Sequence, residues 1–154
     1  MSAQIDAMPR MRRMRREDLD AVVAIEQAVY THPWTLGNFA DSLDAGYHCW
    51  IMESGGLMIG YAVMMIAAEE AHLLNLSIAA DWQRRGYGSV LLRHVFVIAR
   101  EGRAHTIYLE VRESNAAGRA LYGKNGFAEI GARRDYYPRA GGREDAVSME
   151  KKLP

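Results

Sequence analysis

Apolar residues first recur at helical spacing at Leu19, Val22, Val23, Ile25, Ala28 and Val29, a stripe that predicts an amphipathic helix capped by Asp18. The segment before it, Met11–Arg16, reads as a short strand ending at Glu17-Asp18. His32-Pro33-Trp34 closes the helix, because a proline drives the residue before it out of helical geometry. Thr35 suits the cap of a second short helix through Phe39 and Leu43, ending near Gly46.

The pattern then changes period. Tyr47–Glu53 and Leu57–Ala67 flank Ser54-Gly55-Gly56, a connection of hairpin length. Ala71–Ala79 alternates, with Leu74, Leu76 and Ile78 on one face and Asn75 and Ser77 on the other. Gly86–Arg100 returns to helical spacing through Val90, Leu91, Val95 and Ile98, and Gly102 stops it. Thr106–Val111 is a strand, after which Ser114 or Asn115 caps a helix to Lys124 that Asn125-Gly126 ends. Phe127–Tyr136 and Arg143–Lys151 close the chain as strands joined by a turn containing Pro138 and Gly141-Gly142. The order is β-α-α-β-β-β-α-β-α-β-β. A three-strand meander before a β-α-β crossover predicts an α/β chain on a mixed sheet with helices on both faces. No repeat, low-complexity tract or linker interrupts it, so residues 1–154 read as a single domain.

Composition narrows the class. With 49% hydrophobic and 25% charged residues the chain is of globular type. A single cysteine, Cys49, excludes an internal disulfide and a cysteine-built zinc site; it lies in an apolar strand and reads as a buried small hydrophobe. The five histidines show no metal-ligand spacing, so no metal is expected. No apolar run approaches the roughly 20 residues that span a bilayer, and the polar, Arg-rich start lacks the core of a secretory signal. A soluble, cytoplasmic setting is the expectation. A net charge of zero argues against nonspecific nucleic-acid binding.

The charges are unevenly placed. Arg10, Arg12, Arg13, Arg15 and Arg16 crowd the start, and Glu17–Ser77 then contains nine acids and no Lys or Arg. From Ile78 to Pro154 there are 14 basic and 9 acidic residues.

The segment richest in chemistry is Asp81-Trp82-Gln83-Arg84-Arg85-Gly86-Tyr87-Gly88-Ser89, set between a strand and a helix. Two glycines at a helix N-terminus let several N–H groups converge, which suits a phosphate or pyrophosphate, and Arg84 and Arg85 add positive charge. An ordinary turn with solvated arginines accounts for the same residues. A dinucleotide fingerprint is excluded because Leu91 stands where its third glycine belongs, and a P-loop because Gly-Lys-Ser/Thr is missing.

Gln83-Arg84-Arg85-Gly86-Tyr87-Gly88 resembles the Gln/Arg-x-x-Gly-x-Gly/Ala loop of the GCN5-related N-acetyltransferases, and the element order matches that fold over nearly the whole chain. Further on, Tyr108-Leu109-Glu110-Val111-Arg112-Glu113-Ser114-Asn115-Ala116-Ala117, Ala120-Leu121-Tyr122 and Asn125-Gly126-Phe127 are similar to the bacterial branch that acetylates the N-terminal alanine of a small-subunit ribosomal protein. So are His32-Pro33-Trp34, Arg134-Asp135-Tyr136-Tyr137-Pro138 and Gly142-Arg143-Glu144-Asp145-Ala146.

The resemblance implies acetyl-coenzyme A as co-substrate, Glu110 as general base and Tyr122 as general acid. It implies that Leu76, Ser77, Ile78 and Asn115 hold the pantetheine arm, that Arg84, Arg85, Gly86, Tyr87, Gly88 and Ser89 cradle the pyrophosphate, and that Trp34 and Tyr137 line the acceptor site. The expected partner is the N-terminus of a small-subunit ribosomal protein, with no nucleic acid or membrane. Two departures stand out: His32 replaces a bulky apolar residue, and Gly118 occupies a helix where alanine would be the better former.

On pattern alone, Glu110 is equally the solvent-facing member of a strand, Tyr122 a core aromatic, Asn115 a plain helix cap and Trp34 a packing residue. The same fold could acetylate a lysine or a small amine, or bind acetyl-coenzyme A at the ribosome without turnover. The arginine cluster is the feature that favours the last, against solvated arginines on a first strand. A ping-pong route through Cys49 is rejected, since no activating partner is identifiable.

Overall fold

The computed structural model describes residues 8–154, so the first seven residues of the expected domain, and of its Arg-rich start, lie outside the described part. Seven strands form one sheet: β1 (Arg10–Arg13), β2 (His48–Ser54), β3 (Leu57–Ala67), β4 (Glu70–Ile78), β5 (Thr106–Arg112), β6 (Ala128–Arg139) and β7 (Gly142–Lys152). Four helices join them: α1 (Leu19–Val29), α2 (Leu36–Asp44), α3 (Tyr87–Glu101) and α4 (Ala116–Lys124). The strand order is β1-β2-β3-β4-β5-β7-β6, antiparallel except for β4 and β5.

Apolar burial on the two faces of the sheet gives two cores. α3 sends Leu91, Leu92, Val95, Phe96, Ile98 and Ala99 against Ile59, Ala71, Ile107, Leu109 and Val111. On the other face Leu19 and Val22 of α1 and Phe39 of α2 pack on Cys49, Ile51, Tyr61 and Val63. Helices therefore cover both faces, as the pattern predicts.

Three local expectations are corrected. Asp18 does not cap α1. Its carboxylate accepts from Arg15 N at 2.7 Å and from the Arg12 guanidinium at 2.8 Å through both oxygens, so it closes a 3-10 turn at Arg16–Asp18 instead. Leu74 does not share a face with Leu76 and Ile78. A bulge opposite Val63/Met64 leaves it between registers, 39% exposed. Pro138 lies inside β6, paired with Arg143, rather than in the turn; a sheet-edge strand tolerates its missing N–H. Gly102 ends α3 as expected, with the left-handed backbone falling one residue on, at Arg103 (φ 66°).

Thr35 caps α2 as expected, its hydroxyl accepting from Asn38 N at 3.1 Å. Of the two candidates for α4, Asn115 is the cap, accepting from Gly118 N at 2.9 Å.

Candidate active site

The parallel ladder is short. Glu70, Ala71 and His72 pair with Thr106, Ile107 and Tyr108, after which β4 stays with β3 and β5 with β7, so the two strands separate into a wedge. Antiparallel pairs alternate between bonded and non-bonded. Ala79 N donates to Ile59 O at 2.9 Å, so two residues back Ser77 is turned toward β3, while Leu76 and Ile78 turn their N–H and C=O groups into the wedge. In accord with this, Ile78 O accepts from Gln83 Nε2 and Leu76 O from the Tyr30 hydroxyl. Ser77 faces α1 with its side chain. An unpaired strand edge in a wedge is what an extended chain of amides can bond to.

One mouth of the wedge is formed by the Gly-rich loop. Arg84 (φ 61°) and Gly86 (φ 87°) are left-handed, and Gly86 is the first residue outside α3, so the free N–H groups of the first turn open beside it. Arg85 lies over the rings of Trp82 (4.6 Å) and Tyr87 (5.8 Å) and donates to Asp81 O, which fixes it along the loop. Ser89 is buried and its hydroxyl accepts from Asn125 Nδ2 at 3.0 Å, so only its backbone serves the loop's opening. Asn125, which the sequence marked only as a helix end, also donates to Leu121 O and thereby ties α3 to α4.

Gly118 proves necessary. A Cβ there would meet Asn115 Nδ2 at 2.6 Å, so the glycine makes room for the cap.

The opposite mouth is a cavity of about 170 Å³ lined by Trp34, His72, Leu74, Glu110, Tyr136 and Tyr137, among others. Glu110, Trp34 and Tyr137 thus come together. The Glu110 carboxylate is 20% exposed and lies 3.5 Å from Arg133 Nε, and the Tyr137 hydroxyl donates to Glu110 O at 3.1 Å. Arg112 lies 4.6 Å over the Tyr137 ring while its Nη1 donates to Pro138 O and to Glu144, so the β6–β7 end is pinned beside the cavity. The paired arginine and Ser114 hold the Glu144 carboxyl below the usual range.

Tyr122 of α4 packs its ring against Phe127 at 5.6 Å, at the edge of the core under α3. Burial raises its phenol well above the ordinary value, and the nearby Tyr30 and Tyr137 phenols reinforce this. Burial likewise pushes Tyr137 up to about 12. Three protonated phenols therefore gather close to one another.

Sequence reasoning missed Glu26. It is buried at 2% exposure and accepts from Tyr61 OH (2.6 Å), Trp34 N (2.9 Å) and Asn75 Nδ2 (3.1 Å). Its signal was present: Glu26 lies on the same helical face as Leu19 and Val22. Cys49 is buried and desolvation pushes its thiol to about 11, which suits a packing residue. Among the described residues no group of three His, Cys, Asp or Glu side chains could hold a metal ion, and no helix is long and apolar enough to cross a membrane.

A wedge between two parallel strands, with a Gly-rich helix start at one mouth and a carboxylate-lined cavity at the other, defines an acyl-coenzyme A-dependent N-acyltransferase architecture. The profile of the acetyltransferase (GNAT) family matches residues 9–127, and the chain belongs to that family. It is 39% identical over 132 residues to the [ribosomal protein bS18]-alanine N-acetyltransferase of Escherichia coli (strain K12), covering 86% of this chain and 89% of the relative. Identity to the Haemophilus influenzae enzyme of the same name is 37% over 133 residues, 86% and 90% of the two chains. The crystal structure of the ribosomal-protein-S18-alanine N-acetyltransferase from Escherichia coli superposes with a TM-score of 0.88 at 36% identity, covering 95% and 94%.

Proposed function

We propose that this chain, as a single N-acetyltransferase domain over residues 1–154, transfers acetyl from acetyl-coenzyme A to the N-terminal α-amine of an alanine-initiated small-subunit ribosomal protein, in the cytoplasm. The observation that carries the reading is the Glu110 carboxylate at the cavity where β4 and β5 part, beside Tyr137, whose phenol lies near that of Tyr122. The acceptor identity rests on relatives at 37–39% identity, named for alanine acetylation of ribosomal protein bS18.

The residues present fit the co-substrate: an unpaired strand edge for its amide-containing arm, and open N–H groups with Arg84 and Arg85 for its pyrophosphate. When bound, acetyl-coenzyme A supplies the acetyl group as an activated thioester. Leu76 and Ile78 hold the arm through their wedge-facing backbone, with Ser77 between them and Asn115 opposite. Arg84, Arg85, Gly86, Tyr87, Gly88 and Ser89 receive the pyrophosphate, where preset N–H groups need no rearrangement. Trp34 and Tyr137 bound the pocket for the acceptor's first residues.

Glu110 takes the proton from the substrate ammonium, directly or through one water. Tyr122, kept protonated by burial, gives its phenolic proton to the departing sulfur. An α-amine has a pKa of about 7.7–8.0 against about 10.4 for lysine, so at neutral pH its deprotonation costs roughly 3.5 kcal/mol less. One half-buried carboxylate is better matched to that task. Intact-mass measurement of ribosomal proteins incubated with the enzyme and acetyl-coenzyme A tests the reading. A single acetyl on one alanine N-terminus is the expected result; acetylation confined to lysines would overturn it.

A further inference from the structure

Glu26, Asn75, Ser77 and Tyr30 form a line of hydrogen bonds running from the buried end of α1 to the wedge-facing edge of β4. Each bond has one allowed direction. A carboxylate accepts, so the Asn75 amide must point its Nδ2 at Glu26 Oε1, 3.1 Å away. That leaves Asn75 Oδ1 facing Ser77, whose hydroxyl donates to it at 2.7 Å. Ser77 has only one proton, so at 2.8 Å from the Tyr30 oxygen it can only accept, and Tyr30 is the donor. With that one proton shared between Ser77 Oγ and Leu76 O, the Tyr30 oxygen can offer only lone pairs to anything else. It lies within 3.3 Å of Leu76 O, on the β4 edge that opens into the wedge, and close enough to Tyr122 for its charge to oppose that phenol's ionisation.

We propose that the Tyr30 hydroxyl accepts a hydrogen bond from the substrate's amino group, and that Glu26, through Asn75 and Ser77, is the positioning residue that fixes its polarity. An amine bears only donors while it is protonated, and Tyr30 answers it with a neutral acceptor. Glu110, the one carboxylate lining the cavity, is thereby left to take the proton rather than to anchor the nitrogen. Burial raises the Tyr30 phenol above its ordinary value, so the oxygen stays neutral and does not compete for that proton. Glu26 also accepts from Trp34 N, so the same carboxylate sets both the amine acceptor and a wall of the acceptor pocket. This rests on the α-amine reading above.

The test is a binding cycle with coenzyme A-saturated enzyme and two peptides, one beginning with alanine and one with propionyl in its place, which lacks only the amino group. Tyr30→Phe should weaken the alanyl peptide about tenfold, the worth of a hydrogen bond to a charged donor, and leave the propionyl peptide unchanged. Affinity for acetyl-coenzyme A, unaltered, reports the fold. Should Tyr30→Phe lose that affinity, Asn75→Ala decides by the same criterion, since the Ser77 proton it releases can turn to the Tyr30 oxygen and occupy the lone pair the amine would use. Equal losses for both peptides mean a packing role and overturn the proposal. No loss for either overturns it too. Wild-type enzyme that binds the two peptides equally overturns the α-amine reading itself, and the Tyr30 assignment with it.

Discussion

Glu110 and Tyr122, the proposed base and acid, stand on different elements, β5 and α4, in different surroundings. Glu110 alternates with buried Leu109 and Val111, which turns it to the cavity face, while Tyr122 is desolvated against Phe127. Glu110→Gln and Tyr122→Phe should each lower kcat by about 10²–10⁴-fold, the range for general acid–base groups, with acetyl-coenzyme A affinity unchanged by calorimetry. Because burial raises the Tyr122 phenol, its donor form persists above pH 10. The rate should therefore climb as the α-amine loses its proton near pH 8 and then hold level to pH 10; a fall beginning at pH 9 in a kcat profile would contradict a desolvated acid. Gly118 is a second residue-scale case. Alanine would gain about 1 kcal/mol of helix propensity, yet its Cβ displaces Asn115 and loses a cap of similar worth. Gly118→Ala should leave the melting temperature nearly unchanged while raising KM for acetyl-coenzyme A severalfold. Spacing alone left Glu110 a strand residue and Tyr122 a core aromatic, and only the family resemblance pointed to them, whereas Asn115 was legible from its residue type as a helix cap. Glu26 was legible only as a carboxylate out of place on an apolar stripe, and what it does comes from Tyr61, Asn75 and Trp34, which are brought to it by folding.

At the scale of elements, the pattern located the seven strands and four α-helices of the described residues but not the 3-10 turns at Arg16–Asp18 and Ala80–Trp82, and the sharpest errors fell where one residue changes partners. Leu74 breaks an alternation that continues on both sides of it. The bulge that exposes it also reverses which face the following residues take, and so delivers Asn75 and Ser77 to α1 and the Leu76 backbone to the wedge. No local propensity marks that point, since the irregularity belongs to the pairing with β3. Asp18 went wrong for a related reason: a residue of capping type stood before a helix, but a guanidinium two strand residues away from the turn outbid the helix N-terminus. The Arg12 pair holds the Asp18 carboxyl below its ordinary value, with the carboxylate only 9% exposed. A lowered folded-state pKa contributes stability that is present above the unfolded value near 4 and is lost as pH falls through the folded one. Asp18→Asn should thus cost about 1–3 kcal/mol at pH 7 by urea unfolding, and the difference from wild type should shrink progressively below pH 4. A difference that stays constant to pH 2 would mean that packing, not charge, is what Asp18 contributes.

For the whole molecule, the zero net charge is a cancellation whose halves lie in different places. Counting along the chain suggests an acidic acceptor side, since Glu17–Ser77 has nine acids and no Lys or Arg. Folding returns the arginine cluster to that stretch: Arg12 pairs with Asp18 and Glu53, Arg15 with Glu17 and Arg16 with Asp44, while Arg13 lies over Trp50. Four of the nine acids are thereby compensated, and Glu26 is buried. This accounts for most of the cluster without a ribosomal partner, and it leaves the acceptor side with a weaker long-range field than the count along the chain suggests. The loop at the other mouth differs. Arg84 is exposed, Arg85 lies on aromatic rings, and neither takes a carboxylate partner among the described residues, so their charge is available to a polyanion. Screening acts on such exposed charges over about 8–10 Å at physiological salt and over about 3 Å at 1 M. Raising ionic strength from about 0.02 M to 0.5 M should therefore increase KM for acetyl-coenzyme A severalfold, and KM for a basic alanine-initiated peptide by less than twofold. Arg84→Ala should flatten the acetyl-coenzyme A response and leave the peptide response as it is. If the peptide's KM rises as steeply as the cofactor's, attraction of the acceptor comes from acids that no arginine compensates, with Glu70, next to the cavity residue His72, the first to test by substitution.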